Sequence, residues 1–248
     1  MSNSYKVIIP ARYESSRLPG KPILDIGGKT LLQHAYDAAR QSKADEVIIA
    51  TDDQRIADVA NAFGADVIMT STDHSSGTDR IAEVVEKRGI SDPECIVNLQ
   101  GDEIAMPPQL IDQVAGLLLS SDSCNLATLC EPIASEKDIN NTNIVKVVFN
   151  INKSAIYFSR LPIPYHKTGG TTEYYRHLGI YAYRAGFLKI FSSWPVCELE
   201  KLESLEQLRA LYYGEQILIE EVLVDSGIGV DTEEDVERAR QLVKKTSN

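Results

Sequence analysis

Short apolar runs alternate with amphipathic stretches through the first half of the chain. Each run has the length and residue types of a buried strand, and the stretch that follows has its apolar residues on one helical face. Thr30, for example, stands where it would cap such a helix. Strands that alternate with helices predict parallel βαβ units, so we expect an α/β protein whose mostly parallel sheet carries helices on both faces. The apolar runs lie at residues 7–9, 47–50, 67–69 and 96–99.

The loops that follow these strands are the expected place for chemistry. In an open sheet of this kind, ligands bind beyond the carboxyl ends of the strands. The first loop begins at Pro10, which is expected to stop the first strand, and the others begin at Thr51, Thr70 and Gln100.

The alternation becomes looser after about residue 125. Apolar runs at residues 126–129, 144–149 and 155–158 are spaced as hairpins that either extend the sheet or form a small lobe. Residues 162–172 contain two prolines and Gly169-Gly170, which predicts a mobile surface loop. We therefore expect one domain over residues 1–248, with an inserted small β lobe within approximately residues 125–190.

The last part of the chain predicts two further helices, at residues 205–212 and 233–244, separated by a strand at residues 217–224. Asp231 falls immediately before the last helix, at a junction between strand and helix. No internal repeat interrupts this pattern.

The charge balance excludes several kinds of partner. Among 248 residues, 25 are Lys or Arg and 36 are Asp or Glu, giving a net charge of -11. The overall field therefore repels nucleic acid and acidic membranes, and a phosphate site must be built from local cations. No apolar run is long enough to span a membrane, and the four cysteines have no CxxC spacing, so we expect reduced core thiols in a cytoplasmic protein.

A basic loop follows the first predicted strand. The segment PARYESSRLPGKPIL places Arg12, Arg17 and Lys21 around Gly20, and such cations can surround a triphosphate. The alternative is an ordinary solvated basic loop. The segment matches neither G-x-x-x-x-G-K-[ST] nor G-x-G-x-x-G, which disfavours a P-loop kinase and a dinucleotide dehydrogenase.

Two aspartates are candidate ligands for a divalent cation. Asp102 follows an apolar strand and Gly101, and Mg²⁺ is commonly held by one or two carboxylates together with substrate phosphates. A turn or helix-capping aspartate is an equal alternative for Asp102. For Asp231, the residues alone favour a role at the start of a helix.

Polar clusters elsewhere are open to two interpretations. In DHSSGTDR, the hydroxyl and N–H groups can read a base, while Ser76 or Thr78 can cap the following helix. His177 stands in YYRHLGIYAYR, and a lone histidine is more often structural than catalytic. Arg160, at the end of another apolar run, is similarly ambiguous.

Taken together, these segments resemble the 3-deoxy-manno-octulosonate cytidylyltransferase family, and the resemblance covers nearly the whole chain in order. It implies a Rossmann-like nucleotide-binding sheet, a homodimer, and transfer of CMP from CTP to the anomeric hydroxyl of a sugar acid of the Kdo type, with Mg²⁺ as cofactor. The motifs are VIIPARYESSRLPGKP, ATDD, DHSSGTDR, VNLQGDE, IVKVVF, YFSRLPIP, YRHLGIYAYR, LESLEQLR and GVDTEEDVERAR.

The resemblance also implies roles for individual residues. Catalysis falls to Arg12, Arg17, Lys21, Asp102 and Asp231, with Asp102 and Asp231 holding Mg²⁺. Nucleotide binding falls to Pro10, Ala11, Arg12, Lys21, Asp52, Ser76, Gly77, Thr78 and Arg80. Sugar binding falls to Gln100, Arg160, His177, Tyr181, Glu206 and Gln207, of which Arg160, His177 and Gln207 are candidates for the sugar carboxylate.

Two departures from the family pattern leave the sugar open. Ile104 stands where the family usually has proline, and Tyr165-His166-Lys167 replaces the usual WDR. A close relative of Kdo, the 8-amino-3,8-dideoxy form, is therefore one hypothesis, because a changed pocket can favour an amine over a hydroxyl. A nucleotidyltransferase for sialic acid or a sugar 1-phosphate, and a non-catalytic nucleotide-binding regulator, are the alternatives.

Overall fold

The computed structural model describes residues 4–14, 18–168, 172–230 and 232–246, so Arg17 and Asp231 lie outside the described residues. The strands of this part of the chain are β1 (Tyr5–Ala11), β2 (Glu46–Thr51), β3 (Asp66–Met69), β4 (Cys95–Asn98), β5 (Glu103–Ile104), β6 (Leu126–Pro132), β7 (Lys146–Phe149), β8 (Ala155–Ser159), β9 (Tyr175–Arg184), β10 (Ile217–Glu221) and β11 (Ile228–Gly229). Its helices are α1 (Leu31–Gln41), α2 (Gln54–Ala62), α3 (Gly77–Lys87), α4 (Pro108–Leu119), α5 (Glu136–Ile139), α6 (Ala185–Ser193), α7 (Glu198–Glu203), α8 (Gln207–Tyr212) and α9 (Glu233–Thr246).

The central sheet has the strand order β10-β6-β9-β4-β1-β2-β3. β1 pairs in parallel with β2 and β4, β2 pairs in parallel with β3, and β10 pairs in parallel with β6. β9 is antiparallel to both of its neighbours, β4 and β6. The mostly parallel sheet is therefore confirmed, with one antiparallel strand in its middle that the apolar pattern did not predict.

Helices cover the sheet on both faces, as expected. Along β1, Val7 and Ile9 contact the core that includes α1, α2 and α4, whereas Ile8 contacts the core that includes α3, α6 and α8. Successive side chains of a strand point to opposite faces, so a strand covered on both sides becomes a continuous apolar run. This is the reason that the short runs in the sequence identified the strands.

The sequence predicted that the first strand stops at Pro10, and this prediction is wrong. β1 continues to Ala11, and Pro10 lies opposite Ala50 of β2. On its other side, β1 pairs with β4 only as far as Ile8, opposite Asn98. Pro10 therefore lies where only one neighbouring strand remains, and the missing N–H of proline is tolerated at such an edge.

The helix starts follow the expected capping chemistry. Thr30 Oγ1 accepts from Gln33 N at 3.2 Å at the start of α1. Ser76 Oγ accepts from Asp79 N at 3.1 Å at the start of α3, so Ser76 rather than Thr78 is the cap. This assignment frees the Thr78 side chain for another contact.

The hairpins expected after residue 125 are represented by β7 and β8, which pair antiparallel. β7 also pairs with the first residues of β9, where Lys146 lies opposite Arg176, so the hairpin is joined to the main sheet. The strand expected at residues 217–224 ends earlier, at Glu221. α4 was not predicted, because a helix that is apolar on most of its surface shows little periodicity.

The C-terminal segment returns to the carboxyl end of β4. β11 pairs antiparallel with β5, and α9 packs Val236 and Ala239 against Ile26 and Leu31. Within the described ranges, each helix is too short or too polar to cross a membrane.

Candidate active site

A cavity of about 360 Å³ opens at the carboxyl ends of β1 and β4, where the sheet topology places ligands. Its size falls within the usual range for small-molecule sites. Cations and small polar residues dominate its wall, consistent with an anionic ligand. The lining residues are Pro10, Ala11, Arg12, Lys21, Pro22, His74, Ser75, Ser76, Gly77, Arg80, Gln100, Gly101 and Asp102.

The basic loop contributes Arg12 and Lys21 to this cavity. Arg12 is exposed and forms no ion pair with another described residue, whereas Lys21 is 8% exposed and lies in a short 3-10 turn, Lys21–Ile23. The turn starts at Gly20, whose φ of 71° favours glycine, and Gly20 N donates to Tyr13 O at 2.9 Å. Arg17, the third cation of the loop, lies outside the described residues.

Lys21 and Asp102 meet directly. Lys21 Nζ lies 2.6 Å from Asp102 Oδ2, although 81 residues separate the two in sequence. A proposed phosphate ligand and a proposed metal ligand are therefore paired with each other in this structure. The pair keeps both charges in the cavity wall without leaving either unpartnered.

The backbone next to Asp231 is fixed beside Asp102. Gly229 of β11 lies opposite Glu103 of β5, and Val230 N donates to Asp102 O at 3.0 Å. Asp231 itself lies outside the described residues. Among the residues that are described, no group of three His, Cys, Asp or Glu side chains is arranged to hold a metal ion.

The turn before α3 forms another wall of the cavity. A Cβ on Gly77 would lie 3.2 Å from Pro10 Cγ, which explains why glycine stands where the turn approaches β1. Arg80 lines the cavity but donates to Asp52 Oδ2 at 2.7 Å and also to Thr70 Oγ1. Asp52 therefore supports Arg80 from behind and is not part of the cavity lining.

Thr78 points away from the cavity. It is 1% exposed, and its hydroxyl donates to Glu206 Oε2 at 2.9 Å. The turn assigned to the nucleotide is thus hydrogen-bonded to a residue assigned to the sugar.

His74 is a lining residue that the sequence interpretation did not single out. Its Nε2 lies 2.5 Å from Glu83 Oε2, and Ser71 N donates to the same oxygen at 2.8 Å. Burial would raise the pKa of Glu83, but hydrogen bonds from Lys87, Ser71 N and His74 lower it to about 2. An ionised carboxylate thus orients the His74 ring beside Ser75.

Several residues assigned to the sugar form a polar region next to the cavity. Gln100 Nε2 donates to Asn98 Oδ1 at 3.0 Å, and burial raises the pKa of the Tyr181 hydroxyl. Two buried atoms, Glu206 Oε1 and Gln207 Nε2, have no hydrogen-bond partner among the described residues. Buried polar atoms are nearly always paired in folded proteins, so a ligand or water is expected to supply the partners of these two.

His177 is neutral at physiological pH. Its ring packs against Phe158 and Tyr181, with centroid distances of 5.0 and 5.2 Å, and burial lowers its pKa to about 3. The sequence made His177 a candidate for the sugar carboxylate, but a neutral ring cannot offer it a positive charge.

Hydrogen bonding assigns the tautomer of His177. Thr128 Oγ1 lies 2.8 Å from Ile180 O, 3.2 Å from Leu178 O and 3.1 Å from His177 Nε2. The shortest of these contacts, at 2.8 Å to Ile180 O, takes the threonine hydrogen, and Oγ1 then accepts from His177 Nε2–H. Nδ1 is then an acceptor, suited to a hydroxyl group and unsuited to a carboxylate.

Arg160 is occupied by backbone carbonyls. Its Nε, Nη1 and Nη2 donate to Glu203 O at 2.6 Å, Thr142 O at 3.0 Å and Ser204 O at 3.2 Å. Arg160 is not among the residues that line the cavity. Its observed contacts hold the turn that leads into Glu206, which makes it a support of this region.

The chain is similar to known cytidylyltransferases over nearly its whole length. A family model described as cytidylyltransferase matches residues 6–217. The 3-deoxy-manno-octulosonate cytidylyltransferase of Idiomarina loihiensis is 50% identical, covering 96% of this chain and 98% of the relative. The enzyme of the same name from Hahella chejuensis is 47% identical, covering 99% of this chain and 100% of the relative.

Solved structures give the same result. The structure of CMP:2-keto-3-deoxy-manno-octonic acid synthetase complexed with CTP superposes with a TM-score of 0.92 at 43% identity, covering 99% of this chain and 100% of the other. The 4-diphosphocytidyl-2C-methyl-D-erythritol synthase, at a TM-score of 0.64 and 13% identity, shares the fold alone. The chain belongs to the 3-deoxy-manno-octulosonate cytidylyltransferase family.

Proposed function

We propose that the protein transfers CMP from CTP to the anomeric 2-hydroxyl of Kdo or a close analogue and releases pyrophosphate, as a step of lipopolysaccharide biosynthesis. The observation that carries the proposal is the juxtaposition of Lys21 and Asp102 in a cavity beside unpaired buried polar groups. The names of the relatives and of the CTP complex agree with this activity.

The cavity suits a nucleoside triphosphate. Arg12 and Lys21 bring positive charge to a protein whose net charge is -11, and the Ser76 turn offers hydroxyl and N–H groups. We assign the triphosphate to Arg12, Arg17 and Lys21, and the base to the turn at Ser76 and Gly77.

Asp102 and Asp231 would hold Mg²⁺. The Asp102 carboxylate faces the cavity, and the hydrogen bond from Val230 N to Asp102 O ties the residue before Asp231 to the same place. Two carboxylates suffice, because Mg²⁺ completes its coordination with phosphates and water. When bound, the ion supplies Lewis-acid stabilisation of negative charge on the phosphates and on the attacking oxygen.

The proposed reaction is an in-line displacement at the α-phosphorus. The sugar 2-hydroxyl oxygen forms a bond to this phosphorus, the bond to the oxygen that bridges to the β-phosphate breaks, and the hydroxyl proton passes to solvent. Lys21 and Arg12 stabilise the charge that develops on the leaving pyrophosphate. Positioning and electrostatics therefore account for the contribution of the chain.

The sugar acid would occupy the polar region beside the cavity. Gln207 Nε2 is an unpaired amide donor for the sugar carboxylate, and Glu206 Oε1 is an unpaired acceptor for a hydroxyl. His177 Nδ1 adds a second acceptor, while Gln100 and Tyr181 complete the set.

The test is pyrophosphate release measured with CTP, GTP, ATP and UTP, each with Kdo, sialic acid and a sugar 1-phosphate. We expect turnover with CTP and a Kdo-type acid. Turnover only with sialic acid or a sugar 1-phosphate would assign a different transferase, and CTP binding without turnover with any sugar would favour the regulator.

We propose in addition that the 8-amino-3,8-dideoxy form of Kdo is accepted. The unpaired Glu206 Oε1 can accept from an ammonium as well as from a hydroxyl. Ile104 is fully buried against the C-terminal helix, so this departure from the family pattern does not by itself reshape the cavity. Competition between Kdo and the 8-amino analogue for CTP, read by product mass, decides the preference.

We further propose a homodimer that works in the cytoplasm. Ile156, Leu161, Leu202 and Tyr212 are exposed apolar side chains on or next to β8, α7 and α8, and a second copy would cover such a surface. The four cysteines are buried and free, which suits a reducing compartment. Light scattering on the purified protein tests the dimer.

A further inference from the structure

Thr78 connects the nucleotide turn to the proposed sugar site. It lies in the first turn of α3, immediately after Ser76 and Gly77, which line the cavity. Its side chain is buried and points the other way, with the hydroxyl 2.9 Å from Glu206 Oε2. The contact joins parts of the chain that are 128 residues apart.

The Glu206 carboxylate is fixed at one oxygen and unpaired at the other. Oε2 accepts the bond from Thr78, and Oε1 is buried without a partner among the described residues. Burial raises the pKa of Glu206, and hydrogen bonds from Ser76 and Thr78 together with the charge of Arg209 counter that rise. The arrangement therefore holds an acceptor in place before any ligand arrives.

We propose that Thr78 is a positioning residue for the sugar acid. Its hydroxyl sets the orientation of the Glu206 carboxylate so that Oε1 accepts a hydrogen bond from a hydroxyl or amine of the sugar, while Thr78 itself contacts neither substrate. Without this bond, only the contact with Ser76 would hold the carboxylate against the charge of Arg209. The inference rests on the proposed function.

The experiment compares Thr78→Val with Thr78→Ser by pyrophosphate release. The valine variant keeps the shape and removes the donor, so the KM for the sugar acid should rise roughly 10- to 100-fold, while the KM for CTP changes by less than about threefold. The serine variant keeps a hydroxyl and should restore the KM for the sugar. If the valine variant does not fold, Thr78→Ala removes the same donor.

A double-mutant cycle with Glu206→Gln tests whether Thr78 acts through Glu206. If it does, adding Thr78→Val to Glu206→Gln raises the KM for the sugar little further. Thr30→Val is the matched control for loss of a threonine hydroxyl at a helix start, and it should lower the melting temperature without changing either KM.

Three outcomes would overturn the inference: an equal rise in the KM for CTP, a fall in melting temperature with no change in KM, or effects of the two substitutions that multiply. A wild-type protein that makes no CMP-sugar from CTP and Kdo would contradict the proposed function itself. A wild-type protein that does so, with an unchanged KM in Thr78→Val, contradicts only the role of Thr78.

Discussion

The two parts of the candidate site differ in whether their polar side chains have partners. We call the cavity wall around Lys21, Ser76 and Asp102 the nucleotide side, and the neighbouring region around Glu206 and Gln207 the sugar side. On the nucleotide side, polar and charged side chains other than Arg12 are paired with one another at 2.5 to 2.7 Å. On the sugar side, two buried atoms, Glu206 Oε1 and Gln207 Nε2, have no partner among the described residues. The pairs on the nucleotide side are Lys21–Asp102, His74–Glu83 and Arg80–Asp52.

This difference separates the expected effects of substitution. In the proposed function, a nucleotide with its metal ion would exchange one set of charge partners for another. Residues such as Lys21 would then act mainly when charge moves in the reaction, and their loss should lower kcat. In the proposed function, the sugar would meet buried polar atoms that have no partner among the described residues, so its binding would gain directly from each bond. Losses on that side should raise the KM for the sugar.

The largest effect is expected for Asp102→Asn. The substitution keeps the size of the side chain but removes the charge that would hold Mg²⁺, so kcat/KM should fall by about 1,000-fold or more, or roughly 4 kcal/mol. Pyrophosphate release and the melting temperature are the measurements. Asp37→Asn is the matched control, because Asp37 also pairs with a lysine, Lys29, at 2.6 Å on the surface. Near-normal turnover in Asp102→Asn would contradict the proposal that Asp102 holds Mg²⁺.

Lys21→Ala should come next. Losing the ammonium should lower kcat by roughly 100-fold, because charge on the leaving pyrophosphate is no longer stabilised. The same change removes the cation that occupies Asp102, so Mn²⁺, used as a probe without CTP, should bind up to about fivefold more tightly. Lys29→Ala is the control for losing a paired lysine. Unchanged Mn²⁺ affinity would show that the ion pair does not compete with the metal.

The contrast between the two sides also shows what the sequence can predict. The basic loop, Asp102 and the Ser76 turn follow predicted strands or begin a predicted helix, so the parallel topology brings them to one end of the sheet. His74 lies in a recognised motif, but its importance depends on Glu83, which reaches it from within α3. Local signals thus predicted several of the residues that the structure brings together in the cavity wall.

The sugar side depends on long-range contacts that no local pattern contains. β9 runs antiparallel between two parallel neighbours, and Thr128 on β6 determines which nitrogen of His177 carries the hydrogen. Arg160 stays a candidate for the sugar carboxylate, and three of its N–H donors bond to carbonyls that include those of Thr142, 18 residues away, and Ser204, 44 residues away. The tautomer of a histidine and the partners of a hydrogen-bond donor can be assigned only once the register of the strands is known.

Protonation of His177 at low pH is expected to have a smaller effect, which is on stability. Its pKa is 6.5 when unfolded and about 3 when folded, so the unfolded chain gains the proton first as the pH falls. The contribution is complete above pH 6.5 and is lost at about 1.4 kcal/mol per pH unit from there down to about 3. His177→Gln keeps a donor to Thr128 but has no group that titrates in this range. In this variant the free energy of unfolding should fall by about 2 kcal/mol less between pH 6.5 and 5 than in the wild type, as measured by urea unfolding. Equal pH dependence in both proteins would mean that His177 takes up its proton in the folded state.

The smallest effect is expected from Ser76→Ala, which affects the boundary between the two sides. Loss of the bond to Asp79 N removes the cap of α3, and the free energy of unfolding should fall by about 1 kcal/mol. Ser135 caps α5 with the same 3.1 Å geometry but lies outside the cavity lining, so Ser135→Ala controls for capping alone. Because Ser76 also lines the cavity, only Ser76→Ala should raise the KM for CTP. A rise in the sugar KM alone would place Ser76 with Thr78, on the sugar side.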